Sequence, residues 1–399
     1  MQHVVVLGGG VGGTLAANLI ARKLKKPIAS GEAKVTVVDA TGTHAYQPGY
    51  MYIAMGQERA EKLVRPERSL LDGNVELVVE VVRQIVPATQ DVTLASGRTL
   101  HYDQLVIATG SRIMPEEIEH FGDEAHHFYT AEASAKLRRA LDAFTGGKLL
   151  IGIAGIPYKC PPAPLEVAFL VESELRARGL RDATEITFLS PINRAFTIES
   201  VSDMATPIFA EKGIRLELLA GIAEIDAERK VAITDAFEEH PYDLLICVPP
   251  HRGAQVVIDS GLAPASGWLP TDRNTLQVKT VAKPAPGQAD ADIPRYTNIY
   301  ALGDATDLPL SKAGSTAHFE APIVAERVSA AVLGHQPSGK HASYTGKVMC
   351  FFEVGDGKGT LLQFDYDHPP KPPKPNQLWH LGKIVFNKTY WHTVPKGRV

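Results

Sequence analysis

The sequence predicts an α/β protein of two Rossmann-like dinucleotide-binding domains, the first of them discontinuous, followed by a C-terminal membrane-associating segment. Three observations carry that expectation. An apolar, β-branched run at 3–7 leads through Gly8-x-Gly10-x-x-Gly13 into an alanine- and leucine-rich stretch; strand and helix patterns alternate again from 111 onward; and IYALGD at 299–304 repeats the form of LVIATG at 105–110. The expected units are 1–110 and 289–345 for the two parts of the first domain, 111–288 for the second, and 346–399 for the tail.

Within the first unit, residues 3–7 have the continuous apolar character of a strand buried on both faces. Residues 14–25 read as the helix packed on it, and 34–38 as a second strand ending in Asp39. In that setting the three glycines serve different ends. Gly8 makes the tight turn, Gly10 lets a pyrophosphate approach the backbone, and Gly13 lets helix and strand touch. Asp39 is placed to accept hydrogen bonds from the adenosine ribose, and the insert at 25–33 explains its late arrival. The distal strand at 299–304 distinguishes the ligand. A simple NAD domain has no use for it, whereas the longer FAD is reached from several strand ends at once.

The chain has 399 residues, 44% hydrophobic and 22% charged, with a formal net charge of -4 from 41 basic and 45 acidic residues. These values exclude wholesale disorder and a general attraction to nucleic acid. Cys160, Cys247 and Cys350 are too few and too dispersed for a disulfide scaffold or a zinc cluster, so no metal is expected. The uncharged run after His3 is interrupted by Gly8, Gly9, Gly10, Gly12 and Gly13, which argues against a signal peptide or a spanning helix and for a cytoplasm-facing protein.

The second unit carries strand patterns at 148–154, 185–190 and 244–248 and a helix pattern at 163–179. Its first turn has Pro157, Pro161 and Pro162 where phosphate-cradling glycines would stand, so NAD(P)H binding is not expected there. Cys160 lies between that strand and a helix opened by Pro161-Pro162, where a helix N-terminus stabilises a thiolate. Glu166, one or two turns in, exchanges a proton with substrate or simply complements the helix dipole. Cys247, inside an apolar strand, reads as a buried small hydrophobe.

GGGVGG, ATG and YALGDAT resemble the two-dinucleotide-binding-domain flavoproteins. The resemblance implies that Asp304 holds the ribityl chain of FAD, with Thr109, Gly110 and Gly303 beside it. PYKCPPAP, CFFEVGDGKG and WHLGK resemble, over essentially the whole chain, the sulfide:quinone oxidoreductases and the flavoprotein subunit of flavocytochrome c sulfide dehydrogenase. By that resemblance Cys160 and Cys350, 350 − 160 = 190 positions apart, form a redox disulfide over one face of the isoalloxazine. Hydrosulfide attacks it, leaving a persulfide and a thiolate, and the electrons pass through FAD to a membrane quinone. Lys312 and the helix beginning near Thr316 are implied to stabilise the reduced flavin. His318 is a proton relay to quinone or a structural histidine; Phe351, Phe352 and Tyr46 line a quinone pocket or pack the core.

Two departures from the family carry expectations of their own. No third cysteine stands at 126–133, which leaves the growth and release of the sulfur chain open. None stands at 44–50, so noncovalent FAD is expected. From His368 to the end the chain has no acidic residue, six basic ones (Lys371, Lys374, Lys383, Lys388, Lys396, Arg398) and two tryptophans, with Leu378, Leu381, Ile384 and Val385 at helical spacing. This reads as an amphipathic helix that meets a membrane surface through 376–399, the alternative being docking on the body or on a second copy in a homo-oligomer. The rival functions are a sulfide dehydrogenase serving a cytochrome c subunit, a type II NADH dehydrogenase, and a flavin-bound disulfide sensor without turnover.

Overall fold

A computed structural model describes residues 1–281 and 293–398. The expected boundary at 288/289 and Val399 lie outside the described residues. The first domain is built on a six-stranded sheet in the order Gln277–Lys279, Arg295–Ala301, Gln104–Ile107, Gln2–Leu7, Ala33–Asp39, Val75–Val79. All its pairings are parallel except the antiparallel one between the first two strands. Register explains why distant motifs meet. Ile107 pairs with both Leu7 and Ala301, so the loops opening at Gly8, Ala108 and Leu302 leave the sheet side by side. In a parallel sheet this rim, at the carboxyl ends of the strands, is where ligands bind.

The helix Val11–Lys23 packs on the helix Gly314–Leu333 beneath that rim. Gly12 and Gly13 make the approach feasible: a Cβ at Gly13 would lie 2.0 Å from Gly8 O, and one at Gly12 would lie 2.3 Å from Leu302 Cδ1.

The second domain repeats the plan. Its parallel sheet runs in the order Ala125–His126, Leu244–Val248, Gly147–Ile153, Thr184–Leu189, Arg215–Glu217. Each domain interposes a three-stranded antiparallel meander before the strand that re-enters its sheet, Val82–Val86 to Thr99–His101 in the first and Ile222–Asp226 to Glu239–Pro241 in the second. The two domain crossings pair with each other, Ser111–Ile113 antiparallel to His251–Gly253.

That pairing corrects the expected span of the second domain. The chain returns to the first domain after Gly253 rather than at 289: Val257, Leu262, Leu269 and Val278 bury themselves with Val5, Leu7 and Ile107. Beyond the long helix, a hairpin of Val348–Gly355 and Lys358–Phe364 packs on the helix Ala163–Ala177, and the tail helix Gln377–Thr389 lies over the hairpin. Among the described residues no helix is long and apolar enough to cross a membrane.

Candidate active site

Two helix N-termini and three loops converge on the rim of the first sheet. The helix at Val11 is capped by Gly10 and the one at Gly314 by Ala313, neither with a side-chain hydrogen bond, so both present unsatisfied N–H groups and positive dipole ends. Gly8 has φ +103°, and a Cβ there would sit 2.4 Å from Ala108 O; at Gly10 and Gly110 the same position faces open space. Asp39 accepts from the Gly9, Thr41 and Gly42 amides at 2.7–2.9 Å. Burial alone would raise its carboxyl, but these donors outweigh it and hold the group below the usual carboxylate range.

Thr109 Oγ1 is buried without a partner, and Asp304 Oδ2 accepts only a long bond, 3.3 Å, from Ser111. Open backbone, free donors, an anionic ribose acceptor and an unpartnered hydroxyl together fit an extended dinucleotide such as FAD. Under the rim lies a group not read from the sequence. Glu320 is fully buried, accepts the Gly303 N–H through Oε2, and is pushed up to about 8 by burial.

The two cysteines meet the end of one loop and the first turn of the helix that follows it. The Cys160 N–H donates to Lys312 O at 2.6 Å, and Ser315 Oγ lies 3.4 Å from Cys350 Sγ. Cys160 has φ +55°, a left-handed conformation that costs a non-glycine residue about 1–2 kcal/mol, and the Lys312 carbonyl and the Ala163 amide, which donates to Cys160 O at 2.9 Å, fix it. All three cysteines are free thiols. Cys247 is fully buried, while Cys160 and Cys350 are half-buried.

The expected stabilised thiolate at Cys160 is corrected. Burial, then Glu166 and Cys350, push the Cys160 thiol upward, and the Ala163 N–H at the helix start offsets only part of this. The stronger opposing influence is a cation the sequence reading placed on the surface. Lys383, on the inner face of the tail helix, draws both Cys160 and Cys350 downward.

Lys383 is 8% exposed, and its Nζ donates to Glu166 Oε1, which also accepts the Glu353 N–H at 2.7 Å. Burial lowers the Lys383 ammonium, but Glu166 first, then Tyr52 and Glu353, carry it well above its ordinary value. Burial pushes Glu166 the other way, above the carboxylate range. Glu353, itself 1% exposed, meets His380 Nδ1 at 2.9 Å. The inner face of the tail helix is thus polar: His380, Lys383 and Asn387, the last accepting from Tyr46 OH at 2.5 Å. Its outer face carries Leu378, Leu381 and Val385, 71%, 54% and 52% exposed. The chain after the helix docks on the first domain, with Tyr390 OH 2.7 Å from His44 Nε2 and Asn18 donating to Pro395 O at 2.8 Å. Only the helix, then, presents an apolar surface, not the whole of 376–399.

Phe352 is fully buried against Phe169 and belongs to the second-domain core, not to a quinone pocket. Lys312 is not a free cation: its Nζ donates to Asp304 O and Thr306 O at 3.1 and 2.6 Å and lies 3.9 Å over the Trp268 ring. His318 Nδ1 is buried without a hydrogen-bond partner, and the imidazole is lowered by burial and by Lys347. Phe351 lies between hairpin and tail helix, 6.2 Å from the Phe386 ring, with Gly382 allowing the approach. Tyr46 stacks 4.3 Å from Tyr390.

In the second domain, the turn after Ile153 carries Pro157, Pro161 and Pro162. Because these remove the amides a pyrophosphate needs, NADH added anaerobically is expected to leave the visible flavin band unbleached; rapid bleaching would contradict this reading.

The family model for pyridine nucleotide-disulphide oxidoreductases matches residues 2–152. The chain is 25% identical over 379 residues to the mitochondrial sulfide:quinone oxidoreductase of Mus musculus, covering 92% of this chain and 79% of that protein. It is 24% identical over 428 residues to the sulfide-quinone reductase of Aquifex aeolicus, covering 100% and 92%. The X-ray structure of the sulfide:quinone oxidoreductase from Aquifex aeolicus aligns with a TM-score of 0.78 at 22% identity, again over 100% of this chain and 92% of that one. The chain is an FAD-binding oxidoreductase, similar over its full length to sulfide:quinone oxidoreductases.

Proposed function

We propose that the protein oxidises hydrosulfide, or a persulfide, to sulfane sulfur at Cys160 and Cys350 and delivers the electrons through noncovalently bound FAD to a membrane quinone. The observation that supports it most is that two cysteines remote in sequence meet at one short stretch, the Cys160 N–H on Lys312 O just before the helix at Gly314 and Cys350 Sγ beside Ser315 Oγ in that helix's first turn. When bound, FAD supplies a two-electron acceptor that a quinone reoxidises.

In the oxidised enzyme we assign a disulfide to Cys160 and Cys350. Hydrosulfide attacks one sulfur, the S–S bond breaks, and a persulfide forms on one cysteine as a thiolate leaves on the other. A second hydrosulfide takes the sulfane sulfur, and the resulting dithiol returns to disulfide by losing two electrons and its protons. Lys383 favours the thiolate at either sulfur, against the burial that disfavours it. Glu166, raised by burial, holds a released proton. Lys312 acts through its carbonyl, positioning Cys160. Phe351 and Tyr46 flank the inner side of the tail helix, where we place the quinone ring. Sulfide-dependent turnover with a soluble quinone analogue tests the reading: sustained turnover supports an enzyme, and a single flavin reduction without turnover would make the protein a sensor.

The exposed apolar face of the tail helix supports peripheral attachment to the membrane. Moving Leu378, Leu381 and Val385 out of water is worth on the order of 1 kcal/mol each. The triple replacement Leu378→Gln, Leu381→Gln, Val385→Gln is expected to abolish liposome co-sedimentation and slow turnover with long-chain quinone, while sulfide still reduces the flavin at the parent rate. Truncation is the poorer test, since it would also remove Lys383 from Glu166. Unchanged sedimentation of the triple variant would refute membrane attachment by this face.

A further inference from the structure

A cluster at the edge of the second domain has no part in the thiol chemistry. Glu217 ends the edge strand Arg215–Glu217, and His240 lies in the last strand of the second meander, Glu239–Pro241, with Glu238 immediately before it. One nitrogen of His240 and one oxygen of each of the two carboxylates lie within 4.8 Å of one another. The imidazole is the informative member. It is 8% exposed, and its Nε2 is buried without a hydrogen-bond partner. Leaving such an atom unpaired costs about 1–3 kcal/mol. The nearest carboxylate oxygen to it, Glu238 Oε2, is out of hydrogen-bond reach at 4.0 Å, while Glu217 Oε2 stands 3.7 Å from Nδ1. Two carboxylates therefore flank one imidazole at spacings too long for hydrogen bonds.

We propose that Glu217, Glu238 and His240 bind one divalent cation of the zinc class, completed by water, which clips the meander to the sheet edge. One imidazole with two carboxylates suits zinc or cobalt, whereas calcium needs six to eight oxygens and magnesium a near-ideal oxygen octahedron. Bond lengths of about 2.0–2.2 Å put tetrahedral ligands roughly 3.4 Å apart, so the carboxylates must close in. Glu238, its side chain 64% exposed, is free to do so. Arg215 holds Glu217 through Oε1, with Nε at 2.6 Å, which orients Oε2 toward the ring. The same guanidinium and Lys148, which lines the same depression as His240, oppose a cation electrostatically and weaken its binding.

The test is calorimetric titration of zinc chloride into the FAD-bound protein carrying Cys160→Ser and Cys350→Ser, so that site thiolates do not compete. One equivalent is expected to bind, and zinc is expected to raise the melting temperature. Glu238→Gln and His240→Gln should each weaken binding at least about 10-fold, each removing one of three ligands. Should His240→Gln not fold, Glu238→Gln, at an exposed side chain, decides alone. No uptake of zinc, or equal uptake by Glu238→Gln, would overturn the proposal.

Discussion

Serine at Cys160 or at Cys350 is expected to slow flavin reduction by sulfide by roughly 10³-fold or more, the scale of losing an activated nucleophile. A hydroxyl can neither accept a sulfane sulfur nor leave as a stable anion at neutral pH. The two variants should fail alike, because each removes half of one disulfide. Cys247→Ala should keep most of the activity and cost about 1 kcal/mol of packing, since that thiol is fully buried in an apolar strand. Thiol counting gives a matching result. Oxidised protein denatured without reductant should show one free thiol, Cys247, and reduced protein three. Parent-like sulfide turnover in both serine variants would place the chemistry elsewhere.

The second large effect is expected at Lys383. Lys383→Met removes the cation from a site where Glu166 and Glu353 are 2% and 1% exposed. Breaking a buried pair by deleting one partner costs about 3–5 kcal/mol, chiefly through the charge left behind. The denaturation midpoint of the FAD-bound protein should fall accordingly, and adding Glu166→Gln should restore much of the loss. The thiols provide an independent readout with a definite sign. Lys383 lowers both, so without it the thiolate forms less readily and the pH profile for alkylating the reduced enzyme must move upward. A midpoint unchanged from the parent, or a profile shifted downward, would show that Lys383 does not face these groups.

That lysine also marks where sequence reading reaches its limit. The dinucleotide cradle was legible because each element has a local cause: a β-branched run, glycines at turn spacing, an acid at a strand end. The parallel sheet then places the residues after Leu7, Ile107 and Ala301 side by side. The expectation of a Cys160–Cys350 pair came only through resemblance, since nothing local links residues 190 positions apart (350 − 160). The tail was read with its helix correct but its faces half understood. Apolar spacing identified Leu378, Leu381 and Val385, yet a lysine in a basic stretch carries no mark of burial. Lys383 is inside because Glu166 and Glu353 arrive from two other elements. Glu320 escaped for the same reason, its surroundings being assembled by tertiary contacts. The return to the first domain after Gly253 was hidden because the pairing of 111–113 with 251–253 has no sequence period.

Anaerobic flavin spectroscopy tests the central claim most directly. One equivalent of sulfide should bleach the visible flavin band of the oxidised parent enzyme, and a quinone analogue should restore it. The Cys160→Ser and Cys350→Ser proteins should stay yellow under the same addition. Bleaching of the parent by NADH but not by sulfide, or equal bleaching of the serine variants by sulfide, would contradict the account.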